Sequence, residues 1–185
     1  MPLYTAPVER LPAAGQYMLT TSQNSSTTSN AAEGLLRVAP WVLRRPVAID
    51  RIGAVVTTVG EANSKVRLGV YADTGNAYPG ALLLDAGQIN GDSATTQEIT
   101  VALTLAPGIY WIGGVSQACA TTPPTVRIAA AAWVPPLTLS IGTSVAAGAA
   151  TMGYQQTGVT GALPSTFSAT VTATTTPPRV FVRVA

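Results

Sequence analysis

The chain has 185 residues and a net charge of +2; 47% are hydrophobic, only 10% are charged and 6% aromatic, and there is no histidine. One lysine, nine arginines, eight acids and a single cysteine leave few acids, bases or nucleophiles, which argues against an enzyme and predicts no catalytic residue, cofactor or metal. The near balance of charge gives no electrostatic case for nucleic acid or an anionic membrane, and no apolar run is long enough to span a bilayer.

Residues 1–33 read as an extended N-terminal arm. Pro2, Pro7 and Pro12 space out its lead, Gln16–Thr20 offers a first strand, and the polar run Ser22–Asn30 reads as a solvated or partner-bound loop. The start lacks a basic region followed by an apolar stretch, so no secretory signal is expected and synthesis in the cytoplasm follows.

From Leu35 the apolar period is two. Ile52, Ala54 and Val56 alternate with Arg51, Gly53 and Val55; Val66, Leu68 and Val70 alternate with Lys65, Arg67 and Gly69. Ile99, Val101, Leu103 and Leu105 form a third stripe, Ile109, Trp111 and Val115 a fourth, and Val180, Val182 and Val184 a last one against Arg179, Phe181 and Arg183. Turn residues separate them at 60–64, 73–79, 90–95 and 106–108. This is the signature of half-buried antiparallel strands, and it predicts an all-β, jelly-roll-like sandwich over residues 34–185. The Ala-rich stretches 129–132 and 145–150 are too short or too interrupted for a stable helix. Within 135–176 the pattern is weak, with strands expected near 137–141 and 167–173.

Four candidate chemistries deserve weighing. Asp73-Thr74-Gly75 is the aspartic-protease triplet, but that chemistry needs two carboxylates sharing a proton, and an exposed turn after the strand 65–71 explains it with less machinery. Asp73, Asn76, Asp85, Asn90 and Asp92 lie in or beside turns without calcium-loop spacing. Cys119 has neither a cysteine partner nor a histidine and reads as a small apolar residue. Among Trp41, Trp111, Trp133, Tyr71, Tyr78, Tyr110 and Tyr154, Trp111 reads as core and Tyr78, in the loop after the triplet, as the exposed ring for stacking a sugar.

Asp50-Arg51-Ile52-Gly53, Val66–Asp73, Tyr78-Pro79-Gly80-Ala81-Leu82-Leu83, Asp85-Ala86-Gly87 and Pro107–Trp111 together resemble a β-sandwich module of tailed-bacteriophage virion proteins, of the minor tail or fibre type. The likeness covers residues 50–117, and the closing strand 178–184 fits the same pattern; similar modules also occur in bacterial surface proteins. It implies a non-enzymatic structural component of the virion that contacts other virion proteins and host-surface glycans. A capsid decoration or head-fibre protein, or a carbohydrate-binding module of a bacterial surface protein, are the alternatives. On this reading Gly53 and Gly69 allow close packing within strand pairs, and Tyr78, Arg67 and Arg51 are the candidate surface contacts. A Thr/Ser/Ala-rich surface with little charge suits a body covered by its own copies, and a homotrimer is expected.

Overall fold

The computed structural model describes residues 12–20, 26–30, 32–129, 153–168, 172–174 and 176–185. Among them, all the long regular elements are strands: β1 (Tyr17–Leu19), β2 (Ser26–Asn30), β3 (Leu36–Leu43), β4 (Val47–Thr58), β5 (Lys65–Asp73), β6 (Pro79–Asn90), β7 (Thr96–Leu105), β8 (Gly108–Gln117), β9 (Thr125–Ala129), β10 (Gly153–Gln156), β11 (Thr172–Thr174) and β12 (Phe181–Val184). Strands β2 to β9 pair as nested antiparallel partners, β5 with β6, β4 with β7, β3 with β8 and β2 with β9. One sheet carries β2, β9, β4 and β7, the other β3, β8, β5 and β6. That nesting, with consecutive pairs assigned to alternate sheets, is a jelly-roll sandwich.

Four short strands extend this frame. β10 and β11 continue the second sheet beyond β3, while β12 and β1 continue the first beyond β4. β9 meets β4 only at Val56 and Thr58, and β12 takes its place alongside β4 from Gly53 to Ile49. The chain end therefore shares one edge of β4 with β9, end to end.

The two-residue rhythm explains which side chains face inward. Ile49, Ile52, Ala54, Val56, Val126, Ile128, Val180 and Val182 of the first sheet meet Trp41, Leu43, Val66, Leu68, Val70, Ile89 and Ile112 of the second in one buried cluster. A second cluster lies on the far side of the second sheet, where Leu36, Val38, Tyr71, Trp111 and Val115 pack under Val159, Leu163 and Phe167. Residues 157–168 thus form a strap across that face. Backbone bonds tie it down: Val159 N–H donates to Gly34 O at 3.0 Å, Leu82 N–H to Ser165 O at 2.9 Å and Phe167 N–H to Gly80 O at 2.9 Å. Gly69 sits beneath, where a Cβ would collide with Leu163 and the Leu84 carbonyl.

The expected alternation holds in β4, β5, β7 and β12, and the turns fall where expected; β8 is buried on both faces, with Ile112 toward the first sheet and Trp111 and Val115 toward the strap. Within the stretch read as an arm, residues 17–19 pair with β12 and residues 26–30 pair with β9. Residues 26–30 of the polar run form a strand rather than a solvated loop because an edge strand needs only main-chain partners and β-branched Thr suits it, while 22–25 lie outside the described residues. Of the expected strand 167–173, Phe167 and Ser168 anchor the strap in irregular backbone, residues 169–171 lie outside the described residues, and β11 begins at Thr172 and runs to Thr174. The expected strand at 137–141, Trp133 and the Ala-rich runs beyond residue 129 lie outside the described residues.

Candidate functional site

Tyr78 and Arg67 are drawn into the scaffold around the strap. The Tyr78 ring is half-buried and lies 4.6 Å from that of Tyr154, which lies 5.3 Å from Trp111. Tyr71 and Trp111 are fully buried, Trp41 lies between the sheets, and Tyr110 is half-buried 6.4 Å from Trp41. Arg67 points away from the inter-sheet core but lies on the strap side, donating to both Asp85 oxygens at 2.8 and 2.9 Å. Burial alone would push the Asp85 carboxyl up; the Leu163 N–H, the Arg67 guanidinium and the Gly87 N–H more than offset this and hold it below its ordinary value.

The turn chemistry is structural in its geometry. Asp73 accepts N–H bonds from Gly75 at 2.6 Å, Tyr78 at 2.9 Å and Trp111 Nε1 at 2.8 Å, so its carboxylate closes the loop in which Gly75 takes a left-handed φ of 92°. Asn90 accepts from Lys65 Nζ at 2.6 Å and Asp92 from the Asn63 N–H at 2.9 Å. Among the described residues no three His, Cys, Asp or Glu side chains gather as a metal site. Cys119 is buried, and burial followed by the nearby Glu33 and Glu61 pushes its thiol up to about 11.

Arg51 belongs to a different assembly, on the outer face of the first sheet, which is open among the described residues. Strands β1, β12, β4 and β7 lie side by side there and present Tyr17, Leu19, Phe181, Arg183, Arg51, Val55, Thr96 and Glu98. Gly53 is the partner of Phe181 across β4 and β12 and of Glu98 across β4 and β7. A Cβ on Gly53 would strike the Phe181 ring and the Gln97 carbonyl oxygen, so the missing side chain is what lets the ring approach the strand so closely. Phe181 then meets Tyr17 edge-on, with centroids 5.6 Å apart.

Polar groups lace this aromatic pair to its neighbours. Arg183 makes a bidentate pair with Asp50 at 2.8 and 2.6 Å, Tyr17 Oη donates to Glu98 at 2.6 Å, and Arg51 Nε lies 3.4 Å from the other Glu98 oxygen. The Arg183 guanidinium also sits 6.0 Å from the Tyr17 ring centre, in cation–π range. Donating to Glu98 pushes the Tyr17 phenol up, and pairing with Arg183 holds the Asp50 carboxyl down.

Two adjoining depressions open here. One of about 430 Å³ is lined by Tyr17, Leu19, Thr96, Glu98 and Phe181. The other, of about 200 Å³, is lined by Leu19, Val55, Arg127, Arg179 and Phe181. They share Leu19 and Phe181 and so form one groove, located where β12 succeeds β9 along β4. Tyr17 and Leu19 are 51% and 39% exposed on its wall, high values for an aromatic and a leucine in a sheet. Sequence reasoning named Arg51 alone of these residues as a contact. The alternation of Phe181 and Arg183 with the terminal valines marked them as outward, but the approach of Tyr17 from the other end of the chain leaves no local signal.

The groove has an apolar floor, a carboxylate and a hydroxyl on one rim, and guanidinium groups at the other end. No family model matches this chain, and no curated protein matches it.

Proposed function

We propose that the protein is a non-enzymatic structural component of a tailed-phage virion, of the minor tail or fibre type, that packs with copies of itself and with other virion proteins and touches host-surface glycans. The observation that carries this reading is the resemblance over residues 50–117, laid on a jelly roll whose Asp73, Asp85 and Arg67 are all engaged in holding loops and the strap. Jelly rolls serve viral capsids and lectins, an analogy at the level of fold. A chain with 10% charged residues also suits a surface that neighbours cover. Function then comes from repetition: a weak patch presented many times by symmetry gains avidity without a strong single site.

The test is location. Antibody against the purified chain, imaged on intact particles by electron microscopy, should label the tail end. Particles that carry none of this protein by peptide mass spectrometry would end the proposal, and label on the head would replace it with the decoration reading.

A further inference from the structure

Among the described residues, the rim of the outer groove carries more positive than negative charge. Arg51, Arg127, Arg179 and Arg183 surround it, against Asp50 and Glu98, and both carboxylates are already committed, to Arg183 and Arg51 respectively. At the smaller depression Arg179 stands beside Arg127, joined through an Arg179 N–H bond to the Arg127 carbonyl at 2.8 Å. The Arg179 Nε is buried and has no hydrogen-bond partner, a costly state for a charged donor. Burial, and then the like charge of Arg127, both work against its protonated form. An anion seated in the depression against the Arg179 guanidinium offsets that like charge.

The rest of the groove specifies what the anion is attached to. Next to the arginines lie Phe181 and Leu19, then Tyr17, with the Thr96 hydroxyl and Glu98 carboxylate at the far rim. A pyranose ring has an apolar face that stacks on such a floor and hydroxyls that meet such a rim, and its carboxylate reaches a guanidinium in the bidentate geometry that arginine favours. We propose that this groove binds an acidic saccharide, a carboxylated pyranose lying over Phe181, Leu19 and Tyr17 with its carboxylate on Arg179. This deepens the glycan contact proposed above and relies on that reading only for its biological setting.

The experiment is a titration of the ¹⁵N-labelled full chain, followed by amide resonances. Trigalacturonate is the probe, maltotriose its neutral counterpart and triglutamate an acidic peptide. Trigalacturonate should shift the Leu19, Thr96 and Phe181 amides saturably, and maltotriose should bind about tenfold more weakly, the difference one charge-assisted contact makes. Arg179→Gln should erase that preference and Tyr17→Ala should weaken both sugars, while Lys65→Gln, on the other sheet, should change nothing. If Arg179→Gln loses its dispersed spectrum, Tyr17→Ala on the short edge strand decides. Equal binding of maltotriose, equal shifts with triglutamate or inorganic phosphate, or no shifts at these amides each overturns the assignment. Failure here leaves the particle-labelling result untouched, and the reverse holds too.

Discussion

Gly53 shows how much one absent side chain arranges. It lies in the middle of β4, flanked by β7 and β12, where glycine is otherwise unfavourable in a strand. Its place is justified by the Phe181 ring that covers it and by the Gln97 carbonyl on the other side. Gly53→Ala is expected to lose about 2 kcal/mol, the scale of overpacking a filled site, and to displace the Phe181 ring. Urea unfolding reads the first effect and the Phe181 ring-proton shifts the second; an unchanged midpoint would contradict the packing. The alternation in β4 already marked Gly53 as outward, and the resemblance implied close packing there. What packs on it was hidden, because Phe181 lies 128 positions further along the chain. Tyr78 and Arg67 teach the complementary lesson. Period two assigns a side chain to a face, yet it is silent on whether that face meets water or a crossing segment.

The strap, residues 157–168, is that crossing segment, and it carries no regular pattern of its own. Three apolar residues, Val159, Leu163 and Phe167, are spaced at four and seal the second cluster, while Asp85 accepts the Leu163 N–H at 3.0 Å. Asp85 is thus the pin between strap and sheet. Its carboxyl is held below the usual 3.8, so its stabilisation is complete above about pH 4 and is lost as pH falls through the lowered folded value. Asp85→Asn should cost about 2 kcal/mol at pH 7, the loss of charge-assisted bonds with a part-buried guanidinium left behind. The gap between variant and parent should narrow in urea unfolding as pH falls through the lowered folded value of Asp85; a constant gap would mean the carboxylate charge is not what holds the strap. Spacing alone did not reveal this element, because Thr/Ala/Gly-rich sequence around it fits many loop paths equally well.

At the scale of the molecule, the jelly roll leaves the chain's last strand to complete the first sheet. Val180 and Val182 are fully buried in the inter-sheet core, Phe181 floors the groove, and β1 has β12 as its partner. Removing residues 178–185 should therefore abolish the cooperative thermal transition rather than lower it slightly, since it opens the core along β4 and strands β1 together. Near-ultraviolet circular dichroism during a thermal ramp checks this. A truncated chain that melts like the parent would show that β12 is an appendage.

Local chemistry was enough to assign the class: apolar side chains every second residue, broken by Asx, Gly and Pro turns, admit little besides antiparallel sheets with one face inward. It also placed the turns from 60 to 108 and read Asp73 as a turn residue; the bonds that close that turn came from the structure. Which faces stayed open was decided only by long-range pairing. β12 joins β4 and β1 across more than a hundred residues, so the groove of Tyr17, Phe181 and Arg179 exists only once the two ends of the chain are brought together. No neighbour along the sequence can encode a contact that loop closure alone creates.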